Sequence, residues 1–80
     1  MINKFKVIEK TIKQFQPQLA FEREVKETIL EACSDKKTPI VYRANKILNA
    51  VALLNTSDLK DAIFETASSI KQENKKQWKQ

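Results

Sequence analysis

The chain of 80 residues contains no glycine and no histidine, and its one cysteine is Cys33. Loops that cradle phosphates need glycine for positive φ and for close backbone approach, so the common nucleotide-binding loops are excluded. Tight two-residue hairpin turns also depend on glycine. The lack of histidine excludes His-based metal sites and catalytic triads. We therefore expect a protein that acts by contact rather than as an enzyme, with no cofactor and no metal.

The lone cysteine and the short apolar runs indicate where the chain works. Cys33 has no second cysteine to pair with, which favours a reducing compartment and a role as a small core residue. The longest apolar run, residues 50–54, is far shorter than the roughly 20 apolar residues of a membrane span. Lysines near the N-terminus lie where a signal peptide would have its apolar centre. The sequence predicts a cytoplasmic protein, and its net charge of +5 also allows peripheral contact with the inner face of the membrane.

Apolar residues recur with the helical period in four segments. These segments cover about residues 3–16, 19–34 and 39–54, and then run from 58 to at least 72. Pro17 is expected to stop the first helix, and Thr38 followed by Pro39 predicts an N-cap and a first helical residue for the third. Short connections between four helices predict an all-α, antiparallel four-helix bundle over residues 1–72. Residues 73–80 are expected to form a polar, basic tail or a frayed helix end.

The apolar stripes of the four segments predict the core. The first two stripes consist of Ile2, which lies outside the residues that the structure describes, and of Phe5, Ile8, Ile12, Phe15, Phe21, Val25, Thr28, Ile29 and Ala32. The last two consist of Ile40, Val41, Ala44, Ile47, Leu48, Val51, Ala52, Leu59, Ala62, Ile63, Ala67 and Ile70. The third stripe is the broadest, so the third helix is expected to be the most buried.

One candidate contact patch lies opposite the core stripe of the third helix. It combines Tyr42, Lys46, Asn49 and Leu53, with Arg43 beside them. An aromatic ring, cations, an amide and a leucine on one exposed face suit a contact with a partner. The alternatives are that Tyr42 packs against a neighbouring helix with the cations solvated, or that this helix enters a DNA major groove.

A second candidate lies near the C-terminus, where Lys71, Lys75, Lys76 and Lys79 surround Trp78. A tryptophan among lysines suits a membrane interface or a partner's pocket. The alternative is a solvated basic face with the indole folded back onto the bundle. Phe64 lies off the core stripe, where it either shares a groove with Trp78 or seals a wide core.

Three segments of the chain resemble the immunity proteins that protect lactic acid bacteria from class II, pediocin- or lactococcin-like bacteriocins. Residues 22–32 are similar to the second helix of that family, and residues 39–53 to its third. Residues 58–75 resemble its fourth helix and basic tail. The shared features are apolar spacing, loop positions and a Lys/Asn-rich end.

The resemblance implies a small four-helix protein of the cytosol that is not a catalyst. It implies that the protein recognises a mannose-permease-type membrane receptor with bound bacteriocin and blocks its pore. It also implies that the C-terminal half sets specificity, through the fourth helix from Phe64 onward and the segment with Trp78.

The candidate partner-binding residues from both lines of reasoning are Phe64, Lys71, Lys75, Lys76, Trp78, Tyr42, Arg43 and Lys46. The main alternative is a small basic protein that binds nucleic acid or modulates transcription, with Arg43 and Lys46 on phosphates. An inhibitor or antitoxin-like module would show the same sequence features.

Overall fold

The computed structural model describes the backbone of residues 3–55 and 57–78, and the side chains of residues 3–55 and 58–73. Four α-helices lie in these ranges: α1 Lys4–Lys13, α2 Ala20–Ser34, α3 Ile40–Val51 and α4 Ser57–Trp78. Each helix packs against two others, so that the four form a ring in the order α1, α2, α3, α4, closed by contacts between α4 and α1. The prediction of an all-α, antiparallel four-helix bundle is confirmed.

Side-chain contacts show how neighbouring helices run in opposite directions. Lys4, at the start of α1, donates to the Ser69 hydroxyl at 2.6 Å and pairs with Glu73, both in the second half of α4. Lys26 of α2 donates to the Phe15 carbonyl at 2.7 Å, which ties the connection between α1 and α2 to the bundle. These bonds link the start of α1 to α4, and the connection after α1 to α2.

The first two helices begin at side chains that accept backbone N–H groups. The Asn3 side chain accepts from the Phe5 N–H at 3.0 Å and caps α1. The Glu22 carboxylate accepts from the Gln18 and Leu19 N–H groups at 2.9 and 3.1 Å, which fastens the chain entering α2. Both contacts satisfy donors that a helix start or its approach would otherwise leave unpaired.

The start of α3 differs from the prediction. Pro39, not Thr38, is the N-cap residue, and no side chain caps this helix. The Thr38 hydroxyl instead donates to the Asp35 carboxylate, which also accepts from the Lys37 N–H at 3.0 Å. The pKa of Asp35 is lowered, mainly by the hydrogen bond from Thr38 and then by the bond from the Lys37 backbone. Thr38, the expected N-cap, therefore stabilises the turn before α3.

Two helix ends also lie elsewhere than predicted. The first helix ends at Lys13, because the chain turns there and carries Phe15 into the core. The third ends at Val51, and the following turn places Leu54 in the core. The fourth helix runs beyond residue 72, as predicted, and ends at Trp78.

The core draws on all four helices and on the chain just after α1 and α3. Its buried apolar residues are Phe5, Ile8, Ile12, Phe15, Val25, Ile29, Ala32, Ala44, Ile47, Ala50, Val51, Leu54, Ile63, Ala67 and Ile70. Phe21, Ile40, Ala52 and Ala62 were predicted in the core but are exposed. The first three lie at or just beyond helix ends, where a bundle of short helices offers no opposing surface.

Candidate functional site

A groove of about 330 Å³ lies on the surface between α2 and α3, and is called the α2/α3 groove. Its α2 wall consists of Phe21, Glu24, Val25 and Thr28. Its α3 wall consists of Lys46, Asn49 and Ala50, together with Leu53 just after the helix. Because the two helices are antiparallel, the start of α2 meets the end of α3, and two large apolar side chains flank one end of the groove.

Those two side chains, Phe21 and Leu53, are exposed by 39% and 62%. Leu53 points outward because its neighbour Leu54 takes the core position in the turn after α3. Phe21 lies in the first turn of α2, beyond the region where the four helices surround a common core. The result is an apolar opening that nothing within the described part of the chain covers.

Tyr42 extends this surface along α3. It precedes Lys46 and Asn49 by four and seven residues, a spacing that places these three on one side of α3, and Leu53 follows in the turn after the helix. The tyrosine ring is 67% exposed, so the alternative that it packs on a neighbouring helix does not hold. The predicted exposure of Tyr42, Lys46, Asn49 and Leu53 is confirmed.

Charges of both signs flank the groove. The Glu24 side chain is exposed on the α2 wall and Lys46 is exposed on the α3 wall. Within the described residues the ion pair of the structure is between Lys4 and Glu73, so neither side chain is held in one. Both are therefore open to hydrogen bonds and ion pairs with a molecule that enters the groove.

Arg43 does not belong to this surface, and its predicted place beside the exposed face is wrong. It is only 9% exposed. Its Nε donates to the Ala32 carbonyl and its Nη2 to the Cys33 carbonyl, each at 2.7 Å. Its guanidinium carbon lies 3.9 Å from the centre of the Phe5 ring.

These contacts give Arg43 a structural task. The last carbonyls of a helix have no partner within it and carry partial negative charge, so a cation at the end of α2 satisfies both needs. The same guanidinium stacks on α1, which joins three helices at one point. Arg43 therefore does not contribute to the exposed face of α3 or to the lining of the α2/α3 groove.

The candidate residues of α4 lie on a different part of the surface. Phe64 is 47% exposed, and Lys71, seven residues or two helical turns later, is half-buried on the same side. The side chains of Lys75, Lys76 and Trp78 lie outside the described residues. Since the α2/α3 groove is lined by α2, α3 and Leu53, the structure does not join Phe64 and Lys71 to Tyr42 and Lys46 in one groove.

Sequence reasoning missed Phe21 as a surface residue. Its spacing from Val25 and Ile29 is that of a core stripe, and it was assigned to the core for that reason. The signal that could have found it is its position in the first turn of its helix, next to Leu19, which is also exposed.

Acidic and cysteine side chains are the remaining candidates for a chemical site. Within the described residues, no cluster of three or more acidic or cysteine side chains could hold a metal ion. Burial, followed by the field of Glu9, raises the pKa of the Cys33 thiol to about 11, so the thiolate is scarce at neutral pH.

Among the described helices, none has the length and apolar character needed to cross a bilayer. No protein-family model, curated protein or solved structure matches this chain.

Proposed function

We propose that this protein is a bacteriocin immunity protein: a non-catalytic, intracellular binder that protects its cell by engaging a membrane receptor with bound bacteriocin. The resemblance of its helices to that family supplies the partner class, a mannose-permease-type receptor complex. The observation that carries the proposal is the exposed face formed by Tyr42, Leu53 and the α2/α3 groove. It is the kind of surface through which a protein without catalytic groups acts.

The composition of this face suits a protein contact. Exposed aromatic and large apolar side chains grouped in one patch mark interaction surfaces, and aromatic anchors often dominate binding energy. Burial of the exposed 62% of Leu53 against a partner would contribute about 1–2 kcal/mol from its apolar surface. Glu24 and Lys46 at the edges of the groove would orient the partner rather than supply most of the affinity.

The fourth helix supplies the second contact in this proposal. Phe64 and Lys71 present an aromatic ring and a cation on one side of α4, and the helix continues to Trp78. In the family that the chain resembles, this half of the protein sets specificity. We infer that the α2/α3 face provides affinity and that α4 distinguishes one bacteriocin–receptor complex from another.

The nucleic-acid alternative loses a supporting residue. It needs Arg43 and Lys46 together on phosphates, and Arg43 does not lie on the surface that exposes Lys46. Lys46 remains exposed but stands beside Glu24 across the groove, which weakens attraction for a polyanion.

The test is protection of living cells. A sensitive lactic acid bacterium that expresses the chain is challenged with a panel of class II bacteriocins. We expect raised resistance to one of them, loss of that resistance in the double variant Tyr42→Ala, Leu53→Ser, and retention in Ile40→Ser. Ile40 is the matched control because it is an exposed apolar residue of α3 that does not line the groove.

Circular dichroism of each purified variant establishes that the bundle is folded before resistance is compared. Sensitivity to every bacteriocin of the panel, with folded protein present in the cells, would contradict the proposal. Salt-dependent DNA binding that Lys46→Gln weakens would transfer support to the nucleic-acid alternative.

A further inference from the structure

A second concave surface lies at the end of the bundle where α1 begins and α2 ends, and is called the end pocket. It measures about 410 Å³ and is more enclosed than the α2/α3 groove. Three cationic side chains line it: Lys6 from α1, Lys36 from the connection after α2, and Arg43 from α3. The carboxylate among its lining residues is Glu9, so cations outnumber carboxylates three to one.

The charge of Arg43 is the unusual feature of this pocket. A nearly buried guanidinium is commonly neutralised by a carboxylate, because burial of an unpaired charge is costly. Here Arg43 bonds two backbone carbonyls and interacts electrostatically with the Asp35 carboxylate, but within the described residues it forms no ion pair. Two of its five N–H donors serve those carbonyls.

The remaining guanidinium nitrogen of Arg43, Nη1, is accessible to a ligand. No buried side-chain nitrogen of the described residues lacks a hydrogen-bond partner. Nη1 of Arg43 makes no such bond in that part of the chain, so it reaches solvent. The protein therefore presents a fixed guanidinium donor and, beside it, two lysines whose flexible ammonium groups can move toward a bound anion.

We propose that the end pocket binds a phosphate group, either free or as part of a lipid headgroup. Phosphate carries up to two negative charges on oxygens that point in several directions, which suits cations supplied by three different elements. The site uses no residue of the α2/α3 groove, so it is independent of the function proposed above.

The experiment titrates the full chain with inorganic phosphate and follows backbone amide signals by nuclear magnetic resonance, with sodium chloride at equal ionic strength as the control. Saturable shifts centred on Lys6, Lys36 and Arg43 are expected. Lys6→Gln and Lys36→Gln should each raise the dissociation constant for phosphate about fivefold. This is the effect of losing one charge-assisted hydrogen bond at an accessible site. Lys10→Gln and Lys37→Gln are matched controls, because these exposed lysines do not line the pocket.

A second arm distinguishes the two sources of the phosphate group. Phosphatidylcholine vesicles with and without phosphatidic acid are mixed with the protein and pelleted. Binding that needs phosphatidic acid and is weakened by Lys36→Gln but not by Lys37→Gln identifies a lipid headgroup. Binding of inorganic phosphate without vesicle binding identifies a soluble phosphate.

Two results would overturn the proposal. One is the absence of saturable shifts with phosphate, or shifts that sodium chloride reproduces. The other is equal weakening by the pocket variants and their controls, which would reduce the effect to the net charge of the chain.

Discussion

Replacement of Arg43 by methionine is the sharpest test of how this bundle is held together. The change keeps an unbranched apolar stem but removes the hydrogen bonds to the carbonyls of Ala32 and Cys33, each 2.7 Å long. It also removes the contact of the guanidinium with the Phe5 ring. The end of α2 is then left with unpaired carbonyls next to the core.

The expected loss follows from these contacts. Hydrogen bonds with a charged partner contribute about 1.5–3 kcal/mol each, and a cation over an aromatic ring adds about 0.5–2 kcal/mol. The desolvation cost of the buried guanidinium, which the variant avoids, offsets several kcal/mol of that sum. The net loss should be about 3 kcal/mol, from a total free energy of unfolding of about 4–12 kcal/mol for a domain of this size.

Urea unfolding followed by circular dichroism measures this loss. With a slope of about 1 kcal/mol per molar urea for a small domain, the midpoint should fall by about 3 M. Lys46→Met is the control, since Lys46 is an exposed cation one turn later on α3, and its effect should stay within about 0.5 kcal/mol. If both variants unfold at the midpoint of the unmodified chain, Arg43 does not hold the helices together and the reasoning fails.

Three further predictions concern the other polar contacts. Lys4→Met should cost at most about 0.5 kcal/mol in urea unfolding, because its pair with Glu73 is solvent-accessible, and a larger loss would contradict this. The contribution of Asp35 should be present above its ordinary pKa of 3.8 and be lost as pH falls through the lowered folded value, so Asp35→Asn should flatten the acid side of the thermal stability profile. Burial of the neutral Cys33 thiol should contribute to the free energy of unfolding in full below pH 9.0, and this contribution should be lost as pH rises toward its folded pKa of about 11. A thiol reagent should accordingly react slowly with the folded chain at neutral pH and rapidly in denaturant, and equal rates would refute the burial of this group.

Most of the fold could be predicted because its determinants are local. Apolar residues at helical spacing indicated four helices. The short connections then predicted antiparallel neighbours, which the ring of contacts confirms. The exposure of Tyr42 and Leu53 was also predictable, because their side of α3 carries no core stripe.

The predictions that were wrong concern residues whose environment depends on tertiary contacts. Phe21 and Ile40 have the spacing of core residues, but the bundle ends before it covers them. Thr38 has the chemistry of an N-cap, but its hydroxyl donates to the Asp35 carboxylate, and no side chain caps α3. At each of these positions the local sequence pattern was read correctly, but tertiary contacts decided where the side chain lies.

The sequence by itself determined the class of the fold: an all-helical chain without glycine or histidine, with an exposed face on its third helix. Only the tertiary structure decided the fate of Arg43 and the existence of the two concave surfaces. Helical periodicity reports which side of a helix a residue occupies, but not what the next helix places against it. The carbonyls of Ala32 and Cys33 meet Arg43 only because α2 and α3 pack antiparallel, and that packing converts an apparent surface cation into a buried support.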